Sequence, residues 1–144
     1  MLASLAALLP AALALASGCA LAQRVNAPGG FAVGGYDVVA YFTLDKAIRG
    51  DPKISFPFQG VIYRFASAEN RDLFLADPIR YLPAYGGHSA YGVATGVLAP
   101  GNPEFFAIYE GRLYLNFSKS VHGQWLRDPG GYITRADANW PTLR

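Results

Sequence analysis

Cysteine is almost absent from the chain, and its single occurrence, Cys19, lies among 22 initial residues that carry no charge. The apolar run over residues 2–16 is too short to span a bilayer comfortably, and a small-x-small pattern typical of signal-peptidase cleavage ends at Ala22. We therefore predict a signal peptide over residues 1–22. Cleavage there leaves a mature chain without cysteine, which excludes a disulfide, a thiolate metal site and a cysteine nucleophile.

Residues 16–19 (ASGC) also resemble a weak bacterial lipoprotein box. In that alternative Cys19 is lipidated and becomes the mature N-terminus, so the protein is anchored to a membrane. Cleavage after Ala22 is the favoured prediction and makes the protein periplasmic or secreted.

An excess of charge of one sign is also lacking: 12 basic and 10 acidic residues give a dispersed net charge of +2. No basic run or stripe is present, so the composition argues against nucleic acid as a partner. No apolar stretch after residue 22 approaches transmembrane length. The mature chain of about 120 residues suffices for one hydrophobic core.

An internal repeat is the most informative feature that is present, because residues 60–81 recur at residues 111–132 with a constant offset of 51. A period near 50 is typical of a duplicated supersecondary unit. The shared positions are Gly60 and Gly111, Tyr63 and Tyr114, Ser67 and Ser118, Leu75 and Leu126, Asp77 and Asp128, Pro78 and Pro129, Tyr81 and Tyr132, with Phe74 opposite Trp125.

The repeat predicts a small single α+β domain of two pseudo-repeats, at about 35–81 and 86–132. Each consists of a glycine-led loop, a β-hairpin and a short helix, and the two glycine-led loops are residues 34–37 (GGYD) and 86–89 (GGHS). One unit alone is marginal in size, so we expect the two to share one core. Turn residues predict the hairpins, and serines at N-cap positions predict the helices. The predicted elements are strands 56–58, 61–65, 105–109 and 113–117, and helices 68–76 and 119–127.

The segments outside these elements are less regular. We predict a flexible leader over residues 23–34, a strand over 38–42 and a loop over 43–53. Residues 132–144 are interpreted as a tail packed by Tyr132, Ile133 and Trp140. On the helices, we expect Leu73, Phe74, Val121 and Trp125 to face inward.

The segment GHSAYG at residues 87–92 resembles the nucleophile elbow of serine hydrolases. That motif needs a glycine two residues after the serine, whereas Tyr91 stands there in this chain. No catalytic set is recognisable elsewhere, so we predict a non-catalytic protein.

The two histidines lie where the two copies differ. His88 and Ser89 stand opposite Tyr36 and Asp37, and His122 stands opposite Arg71. Two imidazoles and a carboxylate suit zinc, copper(II) or iron, of which zinc and copper are favoured. One hypothesis is therefore a metal site formed by His88, His122 and Asp37.

A second hypothesis needs no metal. Tyrosines concentrate in the two glycine-led loops, where they could line a cleft that binds a small ligand or an envelope protein partner. The residues predicted for this cleft are Tyr36, Tyr41, Tyr85, Ser89 and Tyr91.

The order of several motifs resembles the stand-alone bacterial YHS-domain proteins. The motifs are GYDVVAYF at 35–42, YRFASAEN at 63–70 with Phe74, Pro78, Tyr81 and YGG at 85–87 after it, GRLYLNF at 111–117 and ADANWP at 136–141. The likeness covers residues 35–143. It implies a small α+β domain and a role in binding metal, because relatives occur with copper-transport proteins. Those relatives often carry a cysteine where this chain has Ser89.

Overall fold

The structure, a computed structural model, describes residues 24–144. The predicted signal peptide and the alternative lipid anchor at Cys19 lie outside these residues. Within them the fold is α+β, as predicted. The elements are α1 Ala40–Thr43, β1 Asp51–Phe58, β2 Val61–Phe65, α2 Ala68–Ala76, α3 Pro78–Tyr81, α4 Ala90–Ala94, β3 Asn102–Tyr109, β4 Arg112–Asn116, α5 Lys119–Trp125 and α6 Pro129–Asn139.

The two hairpins form two separate two-stranded antiparallel sheets, β1–β2 and β3–β4. Both residues of each turn have positive φ, 50° and 81° at Gln59 and Gly60, and 48° and 77° at Glu110 and Gly111. This is the geometry of a type I′ turn, whose twist matches that of the flanking strands. Both hairpin predictions are confirmed, although β1 and β3 begin earlier than predicted.

The serine caps are also confirmed. Ser67 Oγ accepts the Asn70 N–H at 3.1 Å, and Ser118 Oγ accepts the Val121 N–H at 3.3 Å. Helix α2 has the predicted bounds, whereas α5 ends at Trp125 rather than at residue 127. Phe74 and Trp125 are fully buried as predicted, but the inward prediction for Leu73 is wrong because that side chain is 43% exposed.

Two predicted elements are wrong, and local hydrogen bonds explain both differences. Residues 38–42, predicted as a strand, contain helix α1, because the Asp37 carboxylate accepts the first amides of the helix and outweighs the β-propensity of the valines. The predicted tail contains helix α6, which continues through two glycines. Asp128 caps α6 by accepting the Gly131 N–H at 3.1 Å, and the helix buries Ala136.

The segment predicted as a leader is folded within the described range. Pro28–Gly30 and Ala32–Gly35 form 3₁₀ turns, and Ala32 and Val33 are buried in the core.

The two halves, which we define as residues 31–81 and 83–132, share details beyond their elements. Bridges Phe31–Ile62 and Tyr36–Arg49 in the first half correspond to Pro83–Leu113 and His88–Pro100 in the second. These matches, with offsets of 51 or 52 residues, are consistent with the two-repeat interpretation.

The buried apolar residues form two clusters rather than one. Strand β4 joins them, since Leu113 and Leu115 belong to the first cluster and Tyr114 to the second. Alternate residues of a strand point to opposite faces, so β4 serves as a wall between the two clusters. Among residues 24–144, no helix has the length and apolarity to cross a membrane.

Candidate functional site

Asp37, the predicted carboxylate ligand, is fully buried and saturated with hydrogen bonds. Its Oδ1 accepts the N–H groups of Val39 and Ala40 at 2.8 and 3.3 Å. Its Oδ2 accepts the Ala66 N–H at 2.8 Å and the Asn70 side-chain amide at 2.7 Å. The carboxylate therefore ties the start of α1 to the end of β2 and to α2, which is a structural role.

His122 is half-buried, and its ring lies nearly parallel to the Trp125 ring at 6.5 Å. Its Nδ1 lies 2.9 Å from Nδ2 of Asn116, whose Oδ1 accepts the Tyr91 N–H at 3.0 Å. Because the backbone amide fixes the Asn116 oxygen, the asparagine NH₂ must donate to His122 Nδ1, and the ring proton stays on Nε2. Burial lowers the pKa of His122. In this tautomer neither ring nitrogen offers a free lone pair.

His88 has the opposite tautomer. Its Nδ1 lies 3.0 Å from the carbonyl oxygen of Tyr85, which can only accept, so Nδ1 carries the proton. Nε2 of this half-buried ring therefore has a lone pair that can accept or ligate.

The predicted metal site gains no geometric support from these arrangements. In residues 24–144 no group of three or more His, Cys, Asp and Glu side chains is placed to hold a metal ion. His88, His122 and Asp37 are therefore not assembled as a three-ligand centre, and metal binding stays a prediction.

The residues predicted for a tyrosine-lined cleft are dispersed. Tyr41 and Ser89 are buried, with Tyr41 donating to the Pro103 carbonyl at 2.8 Å. Tyr36 donates to Glu104 and lines a shallow groove of about 450 Å³, whereas Tyr91 donates to Gln124. Tyr85 alone of the five lines the more enclosed cleft described next.

That cleft has a volume of about 260 Å³ and is lined from both halves, so we call it the inter-half cleft. Its walls combine aromatic and aliphatic faces with two guanidinium groups. The lining residues are Arg24, Val25, Gln59, Tyr63, Ile79, Leu82, Pro83, Tyr85, Gly86, Arg112 and Trp140.

The Arg24 guanidinium lies over the ring of Trp140. Its guanidinium carbon lies 4.0 Å from the ring centroid, and its Nη2 donates to the Trp140 carbonyl at 2.6 Å. Its Nε is buried and has no hydrogen-bond partner among residues 24–144. Stacking on indole combines cation–π attraction with a fixed orientation of the remaining donors.

Arg112 lies on the second-half side of the cleft, with its guanidinium 5.8 Å from the Tyr114 ring centroid. In the described part of the chain the one ion pair joins Arg71 to Asp72. The two arginines of the cleft are therefore not paired with a carboxylate of residues 24–144.

The phenols of the cleft stay protonated at neutral pH. Burial raises the pKa of Tyr63 to about 12. Burial, followed by the hydrogen bond to Asp137 at 2.9 Å, also raises the pKa of Tyr85. The cleft therefore contains neutral phenols beside permanent cations.

Gly86 positions the N-terminal wall of the cleft. Its φ is +60°, and a side chain there would overlap the Arg24 carbonyl oxygen. Its own carbonyl accepts the Asn26 N–H at 2.8 Å. A glycine is needed here because the backbone of residues 24–26 lies directly against it.

The sequence reasoning missed Arg24, Arg112 and Trp140 as site residues. One signal was available for Arg112, whose counterpart at the offset of 51 is the apolar Val61. Trp140 lies beyond the repeated residues, so the comparison of copies could not single it out.

The chain matches no protein-family model, no curated protein and no solved structure. The YHS resemblance therefore stays a prediction.

Proposed function

We propose that the protein is a non-catalytic binding module of the bacterial envelope and that it takes a small ligand in the inter-half cleft. One observation carries this proposal: both halves, the N-terminal segment and Trp140 line one concave space. Small-molecule sites are typically concave, largely apolar and furnished with a few placed polar groups.

The lining groups suit binding better than acid–base catalysis. Arginine keeps its proton at any physiological pH, and a tyrosine with a pKa of about 12, as at Tyr63, transfers its proton poorly near neutrality. These groups can donate hydrogen bonds and form aromatic contacts, which is the chemistry of recognition.

The envelope location rests on the predicted signal peptide. Expression of the full chain in a bacterium, followed by intact mass measurement of the exported protein, should show loss of residues 1–22. A mass that retains these residues, in a protein confined to the cytoplasm, contradicts the location.

Ligand binding is tested by screening a library of small compounds against the processed protein by amide NMR. We expect ligands to shift the amides of Gly86 and Arg112 together, because these residues face one space. Ile79→Ser should weaken binding, since Ile79 is 70% exposed and lines the cleft. Leu44→Ser is the matched control, 55% exposed and outside the lining. Shifts that map elsewhere, or no ligand at millimolar concentration, would contradict the proposal.

Metal handling is the second candidate, and it is favoured by the oriented lone pair on His88 Nε2. A carbonyl partner on Nδ1 is the arrangement that presents Nε2 to a metal. If the site exists, His88→Ala should abolish zinc or copper binding and His122→Ala should not, because His122 has no available lone pair. Equal affinity in His88→Ala and the wild type, or no binding tighter than about micromolar, removes this candidate.

A further inference from the structure

We propose that the ligand of the inter-half cleft is a small carboxylic acid with an apolar body, whose carboxylate pairs with Arg24 and Arg112. This inference rests on the proposed function, because it assigns a chemical class to the same cleft. The body of the ligand lies against the apolar faces of Ile79, Leu82 and Trp140.

The charge of the cleft is the first argument. Arg24 and Arg112 both line it, and no Asp or Glu of residues 24–144 is among the lining residues. Asp137 lies outside the lining, and its Oδ1 accepts a hydrogen bond from the Tyr85 hydroxyl at an O–O distance of 2.9 Å. Arg112 is exposed and Arg24 is half-buried. Two like charges that line one concave space repel each other, so an anion that enters between them is stabilised.

The donors of Arg24 are the second argument. Within residues 24–144 the side chain lies over Trp140 and gives one hydrogen bond, from Nη2 to the Trp140 carbonyl. Its Nε is buried without a partner in residues 24–144, so a ligand in the cleft meets the Nη donors rather than Nε. A guanidinium presents its donors in a planar fork that matches a carboxylate, and its stacking fixes that fork before the ligand arrives.

Size and lining give the third argument. The volume of about 260 Å³ lies below the range of about 300–1,000 Å³ that is common for ligand pockets. The occupant is therefore small. Val25, Ile79, Leu82 and Pro83 face the same space, which favours an apolar group such as a phenyl ring over a sugar or a polyphosphate.

The test compares phenylacetate with its neutral amide, phenylacetamide, which has nearly the same shape. The processed protein is titrated with each compound and followed by amide NMR. We expect phenylacetate to bind about tenfold or more tightly than the amide, because only the acid brings a negative charge and two acceptor oxygens to the guanidinium groups. Added salt should reduce this preference.

Arg112→Gln should remove most of the preference for the acid, whereas Arg80→Gln should retain it. Arg80 is an exposed arginine outside the lining, so it is the matched control. Well-dispersed spectra of both variants establish that they are folded. Arg24→Gln, with the same expected loss, gives an independent second variant.

The outcomes separate the inference from the proposed function. Equal affinity for acid and amide at the cleft overturns the carboxylate assignment while ligand binding stands. Tighter binding of phenyl phosphate than of phenylacetate by about tenfold also overturns it, in favour of a phosphate ligand. Absence of binding by these probes together with binding of a neutral library compound overturns the inference alone. Absence of binding by every compound overturns both.

Discussion

The two halves of the molecule use different side chains to accept hydrogen bonds from corresponding backbone amides. Asp37 in the first half and Ser89 in the second occupy corresponding places, and each is fully or almost fully buried. Asp37 accepts the Ala66 N–H at 2.8 Å, and Ser89 Oγ accepts the Phe117 N–H at 3.2 Å. Each side chain thus ties the segment after the glycine-led loop to the exit of its hairpin.

The difference lies in how many donors each side chain satisfies. The carboxylate accepts four hydrogen bonds, whereas the Ser89 hydroxyl accepts two, the other from the Gly92 N–H. Asn116 supplies the missing acceptor in the second half, because its Oδ1 takes the Tyr91 N–H. One charged residue in the first half is therefore replaced by two neutral ones in the second.

The surroundings of Gly34 and Gly86, the first glycines of the two glycine-led loops, differ as well. A side chain at Gly34 would come within 3.6 Å of Pro103, an ordinary contact. A side chain at Gly86 would overlap the backbone of Arg24. The second glycine-led loop thus packs against the backbone of residues 24–26, and the inter-half cleft lies beside that contact. The contact that forms one wall of the cleft therefore lies where the second half departs from the repeated pattern.

The largest expected effect is on the buried carboxylate. Asp37→Ala leaves three backbone N–H groups and the Asn70 amide without their acceptor, so we expect a loss of about 4 kcal/mol or more in the free energy of unfolding. Ser89→Ala removes two hydrogen bonds and should cost about 1–3 kcal/mol. Urea denaturation of both variants gives the comparison.

Asp37→Ser tests whether a hydroxyl group, as in the second half, can replace the carboxylate of the first half. This variant gains the hydroxyl that corresponds to Ser89 but has no counterpart of Asn116. Its free energy of unfolding should therefore lie between those of the wild type and Asp37→Ala. A Ser89→Ala variant that is as unstable as Asp37→Ala would contradict the difference drawn between the halves.

The second prediction uses the two loop glycines. Gly34→Ala and Gly86→Ala place a side chain at nearly the same φ, +58° and +60°, and each should cost about 1–2 kcal/mol of backbone strain. Gly86→Ala should cost a further ~1–2 kcal/mol, because it also displaces the Arg24 backbone and a buried hydrogen bond. Thermal unfolding measures the first effect, and hydrogen exchange of the Asn26 amide measures the second.

Protection of the Asn26 amide should fall in Gly86→Ala and persist in Gly34→Ala, which is the matched control. Equal protection in both variants would show that the contact with Gly86 does not hold the N-terminal segment in solution.

The regular parts of the fold were predictable because local signals agree there. Turn residues such as Gln59 and Gly60, the Ser67 cap and the alternation of Val61, Tyr63 and Phe65 all indicate the same hairpin and helix. The helices α1 and α6 were missed because their determinants are side chains rather than periodicity. Asp37 satisfies the first amides of α1, and Asp128 caps α6 despite the two glycines that follow.

The candidate site was less predictable than the fold. Tyr85 was identified from its glycine-led loop, but Arg24, Arg112 and Trp140 come together only through tertiary packing. The tautomers of His88 and His122 also depend on distant partners, since Asn116 fixes one ring and the Tyr85 carbonyl fixes the other. A pattern of residue types in one sequence does not encode which partner each nitrogen meets.

The third prediction concerns Asn116, which stands where the first half has the buried Phe65. Asn116→Leu leaves the Tyr91 N–H and His122 without partners and should cost about 1–3 kcal/mol. Asn116→Asp keeps the acceptor for Tyr91 but turns the donor that faces His122 into an acceptor. It should therefore raise the pKa of His122, as measured by NMR titration of the ring protons. A lowered pKa in Asn116→Asp would contradict the tautomer assigned to His122.

The smallest expected effect is the pH dependence of the wild type. Burial lowers the pKa of His122 from its ordinary value of 6.5, so the unfolded chain binds this proton more readily than the folded one. The stabilising contribution of the neutral ring is therefore complete above about pH 6.5 and is lost as the pH falls through the lowered pKa of the folded state. His122→Gln does not titrate, so the stability difference between wild type and variant should shrink modestly between about pH 8 and pH 5. Urea denaturation at several pH values measures this difference, and a constant value across the range would show that burial does not hold the ring neutral in solution. Because the corresponding residue of the first half is Arg71, which keeps its charge, this pH response should belong to the second half alone.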